Sequence, residues 1–161
     1  MSKAFKFVTW QDIEKSCLSI YSRMCFDGYK PESIIALFRG GIIPGRLFSD
    51  YFNILLDFFA LDVTLYATIG IKRDKLTIAP FQGDIKGKKI LIIDDIWDSG
   101  ETMKAALGHL NEENVTTATV FWKETAIEKP TYYAEEVKEE EWIVFPWETY
   151  EFWREVNAKN D

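Results

Sequence analysis

Apolar, β-branched runs alternate with stretches of helical periodicity along most of the chain. Ile90-Leu91-Ile92-Ile93 has no polar position to turn toward water, so it predicts a short strand buried on both faces. Ser33-Ile34-Ile35-Ala36-Leu37-Phe38 predicts a second buried strand. Leu55 to Tyr66, rich in Phe, Leu and Val, supplies more strand material, as does Thr116 to Trp122, and Tyr132-Tyr133-Ala134 predicts a short strand. Between these runs the period lengthens. Thr9-x-x-Asp12 can cap a helix with Ile13, Cys17, Ile20, Tyr21 and Met24 on its apolar face, and Asp27-Gly28 stops it. A second helix runs through about Phe52 with Pro44 in its first turn. A third opens at Met103-Lys104-Ala105-Ala106-Leu107, and Tyr150 to Val156 forms a short amphipathic helix. Strands alternating with helices predict an α/β fold built on an open, mainly parallel sheet. Such sheets hold ligands in the crevice beyond the carboxyl ends of their strands.

The junction after Ile93 has the chemistry of such a crevice. Asp94 and Asp95 end the apolar run, and Asp98-Ser99-Gly100-Glu101-Thr102 leads into the third helix. Gly100 lets consecutive backbone N–H groups converge on an anion. Ser99 and Thr102 add hydroxyl donors, and the helix start adds partial positive charge. These parts make a phosphate cradle. Asp94 and Asp95 would repel a phosphate, but they suit sugar hydroxyls or a Mg²⁺ ion shared with another phosphate. A phosphorylated ribose satisfies both halves. The spacing excludes a Walker loop, an EF-hand and the G-x-G-x-x-G dinucleotide fingerprint. Arg39-Gly40-Gly41, at the end of the Ser33–Phe38 run, offers a second anion site: two glycines permit close backbone approach and a guanidinium supplies forked donors.

Composition narrows the partners. A chain of 161 residues, 47% hydrophobic, is expected to fold as a single domain over 1–161. A net charge of −7 without a basic block argues against nucleic acid. The same acidity calls for a metal to accompany any polyphosphate ligand. No apolar run reaches the ~20 residues of a membrane span, and the start of the chain lacks the apolar centre of a signal peptide. Cys17 and Cys25 lie too far apart along one helix to bridge each other, so a cytoplasmic protein with reduced thiols is expected. His109, the single histidine, reads as an ordinary helix-surface residue.

Ile90 to Thr102 resembles the phosphoribosyl-pyrophosphate (PRPP) motif of the type I phosphoribosyltransferases: four apolar residues, two acids, two apolar residues, then Asp-Thr/Ser-Gly-x-Thr. Trp97 is bulkier than the usual residue, and Ser99 replaces the commoner Thr. Lys123, closing the Thr116–Trp122 run, and Trp142-Ile143 … Pro146-Trp147-Glu148 resemble the base-recognition parts of the 6-oxopurine (xanthine-guanine and hypoxanthine) enzymes. The similarity extends from about Ser33 to Glu148. It implies the type I phosphoribosyltransferase fold, with a core over about 30–125 and a small hood formed by terminal segments, its base-binding part and C-terminal helix spanning about 126–157.

By the same resemblance, Asp98, Ser99, Gly100, Glu101 and Thr102 hold the 5-phosphate, with Asp98 also the general base. Asp94 and Asp95 hold the ribose hydroxyls, and Asp95 is the Mg²⁺ partner. Arg39 and Gly40, with Lys72 and Arg73 of a hairpin or mobile flap over Ala67 to Gln82, contact pyrophosphate. The Phe38–Arg39 bond is expected to be cis. Lys123, Trp142 and Ile143 bind the purine. The implied activity is transfer of 5-phosphoribose from PRPP to N9 of guanine, xanthine or hypoxanthine, by a homodimer or homotetramer. The resemblance also admits a PRPP-sensing regulator, or an enzyme for a pyrimidine or another acceptor.

Overall fold

The computed structural model describes residues 4–55, 57–66 and 75–158. Twelve elements follow one another: β1 (Ala4–Phe7), α1 (Trp10–Phe26), β2 (Ser33–Phe38), α2 (Ile42–Phe52), β3 (Phe58–Tyr66), β4 (Lys75–Ile78), β5 (Ile90–Trp97), α3 (Glu101–Leu110), β6 (Val115–Lys123), β7 (Tyr132–Val137), β8 (Glu141–Val144) and α4 (Thr149–Ala158). Six strands form the main sheet in the order β4-β3-β2-β5-β6-β7. All its pairings are parallel except β3 with β4. β1 and β8 pair in parallel as a separate two-stranded sheet. Against this sheet α4 sets Phe152, in ring contact with Phe5 and Phe7. This is the hood, joined from opposite ends of the chain.

Helices cover both faces of the main sheet, which explains the unbroken apolar runs of its central strands. Ile34, Ala36, Leu91 and Ile93 face the α1–α2 side together with Ile13, Cys17, Ile20 and Phe48. Ile35, Leu37, Ile90 and Ile92 face α3 with Met103 and Ala106. Residues Ile90 to Ile93 are wholly buried, as expected of a strand covered on both sides. The cap on α1 is formed reciprocally, with the Thr9 side chain accepting from the Asp12 amide and the Asp12 side chain accepting from the Thr9 amide.

Several boundaries differ from the sequence reading. β5 continues past the acids to Trp97, α3 starts two residues before Met103, and β7 extends to Val137. Glu135 and Glu136 are exposed but still paired to β6, since backbone pairing needs no apolar side chain on the solvent face. β7 thereby belongs to the main sheet. β3 and β4 pair antiparallel. Lys72 and Arg73, the expected pyrophosphate contacts, lie outside the described residues. His109 is exposed in the last turn of α3, as expected of a surface residue.

Candidate active site

The carboxyl ends of β2 and β5 lie side by side at the centre of the sheet. Each strand hands the chain through a glycine turn to a helix start, and the site is built where these turns meet. Gly100 precedes α3 with φ of 85°, a left-handed conformation that other residues seldom adopt. The turn is tightened by the Ser99 hydroxyl, which accepts from the Glu101 amide at 3.4 Å. Amides in the first turn of α3 have no acceptor inside the helix, so they are presented to the crevice. Asp94 through Met103, together with Thr119 of β6, line a cavity of about 250 Å³ beneath this turn. A larger cavity of about 470 Å³ opens on its outer side, between Asp98–Glu101, Lys104 and residues 125–128.

The two acids at the strand end are withdrawn into the fold, whereas Asp98 stands exposed. The Asp95 amide donates to Asp94 at 2.9 Å, and the Ile96 amide donates to Asp95 at 2.7 Å. Burial holds the Asp94 carboxyl well above the usual range, and the neighbouring Asp95 adds to it. Asp95 is pushed up to about 7, by burial first and by the charge of Glu148 second. Three carboxylates thus converge, and the Asp95 and Ile96 amides partly offset the strand-end pair. A Cβ on Gly40 would overlap the Asp95 carboxylate. The Arg39–Gly40–Gly41 turn therefore lies directly against the acid end of β5. The Phe38–Arg39 peptide is cis, as the resemblance implied.

The hood supplies the remaining wall. Arg39 is largely exposed and pairs with Glu151 of α4 at 3.3 Å. Both line a cavity of about 200 Å³ with Trp142, Glu148, Phe152 and Glu155. Trp142 is half-exposed there, while Ile143 is buried. Lys123 is buried at the end of β6, where its ammonium donates to the carbonyls of Glu139 and Glu141 at 2.9 and 2.8 Å. It thereby ties the main sheet to the hood strand that carries Trp142. Glu148 was named only within the run that resembles the base-recognition parts, and Glu151 was not singled out from sequence. The signal was the spacing of Glu151 and Glu155 on α4 with Glu148 just before it, which brings three carboxylates to one cavity. Burial, followed by the charge of Glu151, raises the Glu148 carboxyl.

A family model described as the phosphoribosyl transferase domain matches residues 7–152. The chain belongs to that family. Among its phosphoribosyltransferase relatives, the xanthine-guanine phosphoribosyltransferase of Idiomarina loihiensis is 28% identical, the match covering 88% of this chain and 86% of the relative. That of Cereibacter sphaeroides is also 28% identical, covering 88% and 85%. The crystal structure of a purine phosphoribosyltransferase from Pyrococcus horikoshii superposes with a TM-score of 0.78 at 28% identity, over 89% of this chain and 93% of that one. The xanthine-guanine-hypoxanthine phosphoribosyltransferase of Helicobacter pylori shares the fold, with a TM-score of 0.77 at 22% identity over 98% and 100%.

No group of three or more His, Cys, Asp or Glu side chains among the described residues could hold a metal by itself. A Mg²⁺ ion keeps several waters and is held by one or two carboxylates completed by substrate phosphates. The hard oxygens of Asp94 and Asp95, set against the Gly40 turn, fit that role. No helix among the described residues is long and apolar enough to cross a membrane.

Proposed function

We propose that this protein transfers 5-phosphoribose from PRPP to N9 of a 6-oxopurine, releasing pyrophosphate, a purine-salvage reaction. One observation carries the reading: the Asp95 carboxylate packs against Gly40, so the sugar-binding acids and the pyrophosphate turn form one continuous site. The turn Asp98–Thr102 holds the 5-phosphate through its amides and hydroxyls. Asp94 and Asp95 accept from the ribose hydroxyls, Asp95 being also the Mg²⁺ ligand. Arg39 leaves Glu151 to receive the pyrophosphate, with the Gly40 amide beside it. Trp142 stacks on the base, and the Ile143 backbone reads its edge. Lys123 has three N–H donors and commits two to hood carbonyls. The third is directed at the 6-oxo group, which disfavours a 6-amino base.

The C1–oxygen bond breaks before the C1–N9 bond has formed, and its electron pair leaves with pyrophosphate. Positive charge collects on the ribose ring, as in glycoside cleavage. The buried acids stabilise that charge, and the positioned donors stabilise the leaving group. Asp98 accepts the proton that the purine gives up. When bound, Mg²⁺ supplies positive charge that offsets the pyrophosphate.

The test is incubation with PRPP, Mg²⁺ and one free base at a time: guanine, xanthine, hypoxanthine, adenine or uracil. The expected result is a nucleoside monophosphate and pyrophosphate in equal amounts with one or more 6-oxopurines. Product from uracil alone would overturn the purine assignment. No product with any base, despite tight PRPP binding, would favour a PRPP sensor.

A further inference from the structure

Four buried side-chain polar atoms among the described residues have no hydrogen-bond partner. Two of them, Trp97 Nε1 and Thr119 Oγ1, belong to residues that line the cavity at the phosphate turn. Trp97 is 5% exposed and packs into the α3-side core with Ile92, Met103 and Ala106. Thr119 is fully buried on β6, in register with Asp94. A buried donor left without an acceptor costs about 1–3 kcal/mol, so two around one cavity mark a place where acceptors arrive with a ligand. The indole nitrogen is directed at the turn: a Cβ on Gly100 would overlap it, and glycine is the residue with no side chain to fill that space.

We propose that Trp97 is a ligand-binding residue whose indole N–H donates to an oxygen of the ester phosphate held by the turn. The inference rests on the reading of Asp98–Thr102 as the 5-phosphate site and adds a side-chain donor from below to the amides and hydroxyls around it. Gly100 lies against the nitrogen, so the donation requires the turn backbone to shift and uncover it as the anion seats. A phenyl ring at this position would keep much of the packing against α3 and lose the donor.

Ribose 5-phosphate titrated into protein labelled with ¹⁵N at backbone amides and tryptophan indoles tests this directly. The Trp97 indole resonance, assigned through its own side-chain connectivities, is expected to move in step with the Ser99–Thr102 amides. Trp97→Phe is expected to bind ribose 5-phosphate about tenfold more weakly, the loss of one hydrogen bond to a charged group, with pyrophosphate affinity unchanged. Amides that move while the indole stays still, or undiminished binding by the variant, would overturn the role of Trp97 and leave the phosphate turn standing. If neither amides nor indole respond, the turn is not the ester site and the inference falls with it.

Discussion

Asp98 stands at the open mouth of the turn, while Asp94 and Asp95, four and three residues earlier, are drawn beneath it. That difference in burial separates their tasks. A withdrawn carboxylate surrounded by amides can hold a sugar or a metal in one fixed geometry. An exposed one can meet a second substrate and take its proton. Replacing Asp98 by Asn keeps its size and removes its basicity. The expected outcome is a fall in kcat of roughly 10²–10⁴-fold, with PRPP affinity changed by no more than about twofold. Steady-state kinetics beside equilibrium PRPP binding checks it, and equal losses in both would reject the base role. At this scale the sequence was informative, because the cradle is contiguous: strand end, acids, glycine and helix start fall within thirteen residues, Ile90 to Thr102.

At the scale of elements, α4 lines the hood side of the site. Its first turns carry Glu151 to Arg39 and place Glu148 where its charge opposes that of Asp95. The Arg39–Glu151 pair is solvent-exposed on both sides, so it adds little to stability. It does occupy the guanidinium assigned to pyrophosphate. Glu151→Gln is therefore expected to leave the unfolding free energy within about 0.5 kcal/mol of wild type. Pyrophosphate binding, measured by calorimetry, should strengthen a few-fold and become more sensitive to salt. Weakened binding would show that Glu151 orients Arg39 for the ligand instead of competing with it. The amphipathic pattern after Pro146 predicted a helix here. The partner of its Glu151 lies 112 residues away, beyond the reach of any local pattern.

Across the whole molecule, the sheet is buried by α1 and α2 on one side and α3 on the other, and the two cysteines of α1 report on that packing. Cys17 is in the core, where burial pushes its thiol up to about 12, whereas Cys25 is exposed. A thiol reagent should modify one cysteine in the native protein and both after unfolding. The pH dependence follows the same burial. The unfolded chain releases the Cys17 proton near pH 9.0 and the folded protein keeps it to about 12. The folded state binds the extra proton throughout that window, so stability falls as pH rises through it. Denaturant midpoints at pH 8 and pH 10.5 should show the decline, and Cys17→Ala should reduce its slope.

What the sequence determined by itself is what short-range physics fixes. Unbroken runs such as Ile90–Ile93 demand cover on both faces, the Thr9–Asp12 box starts a helix, and the acids followed by Gly100 define a turn that can grip an anion. Tertiary structure alone decided the rest. It joined β1 to β8 across nearly the whole chain, although Ala4–Phe7 is too short and exposed to announce a strand. It committed Lys123 to hood carbonyls, set the Asp95 carboxylate against Gly40, and brought Glu148 and Glu151 to the acid and arginine ends of the site. The division has a physical cause. Periodicity and turn chemistry act through neighbouring residues, whereas these juxtapositions arise only when packing the sheet and closing the hood bring distant segments together.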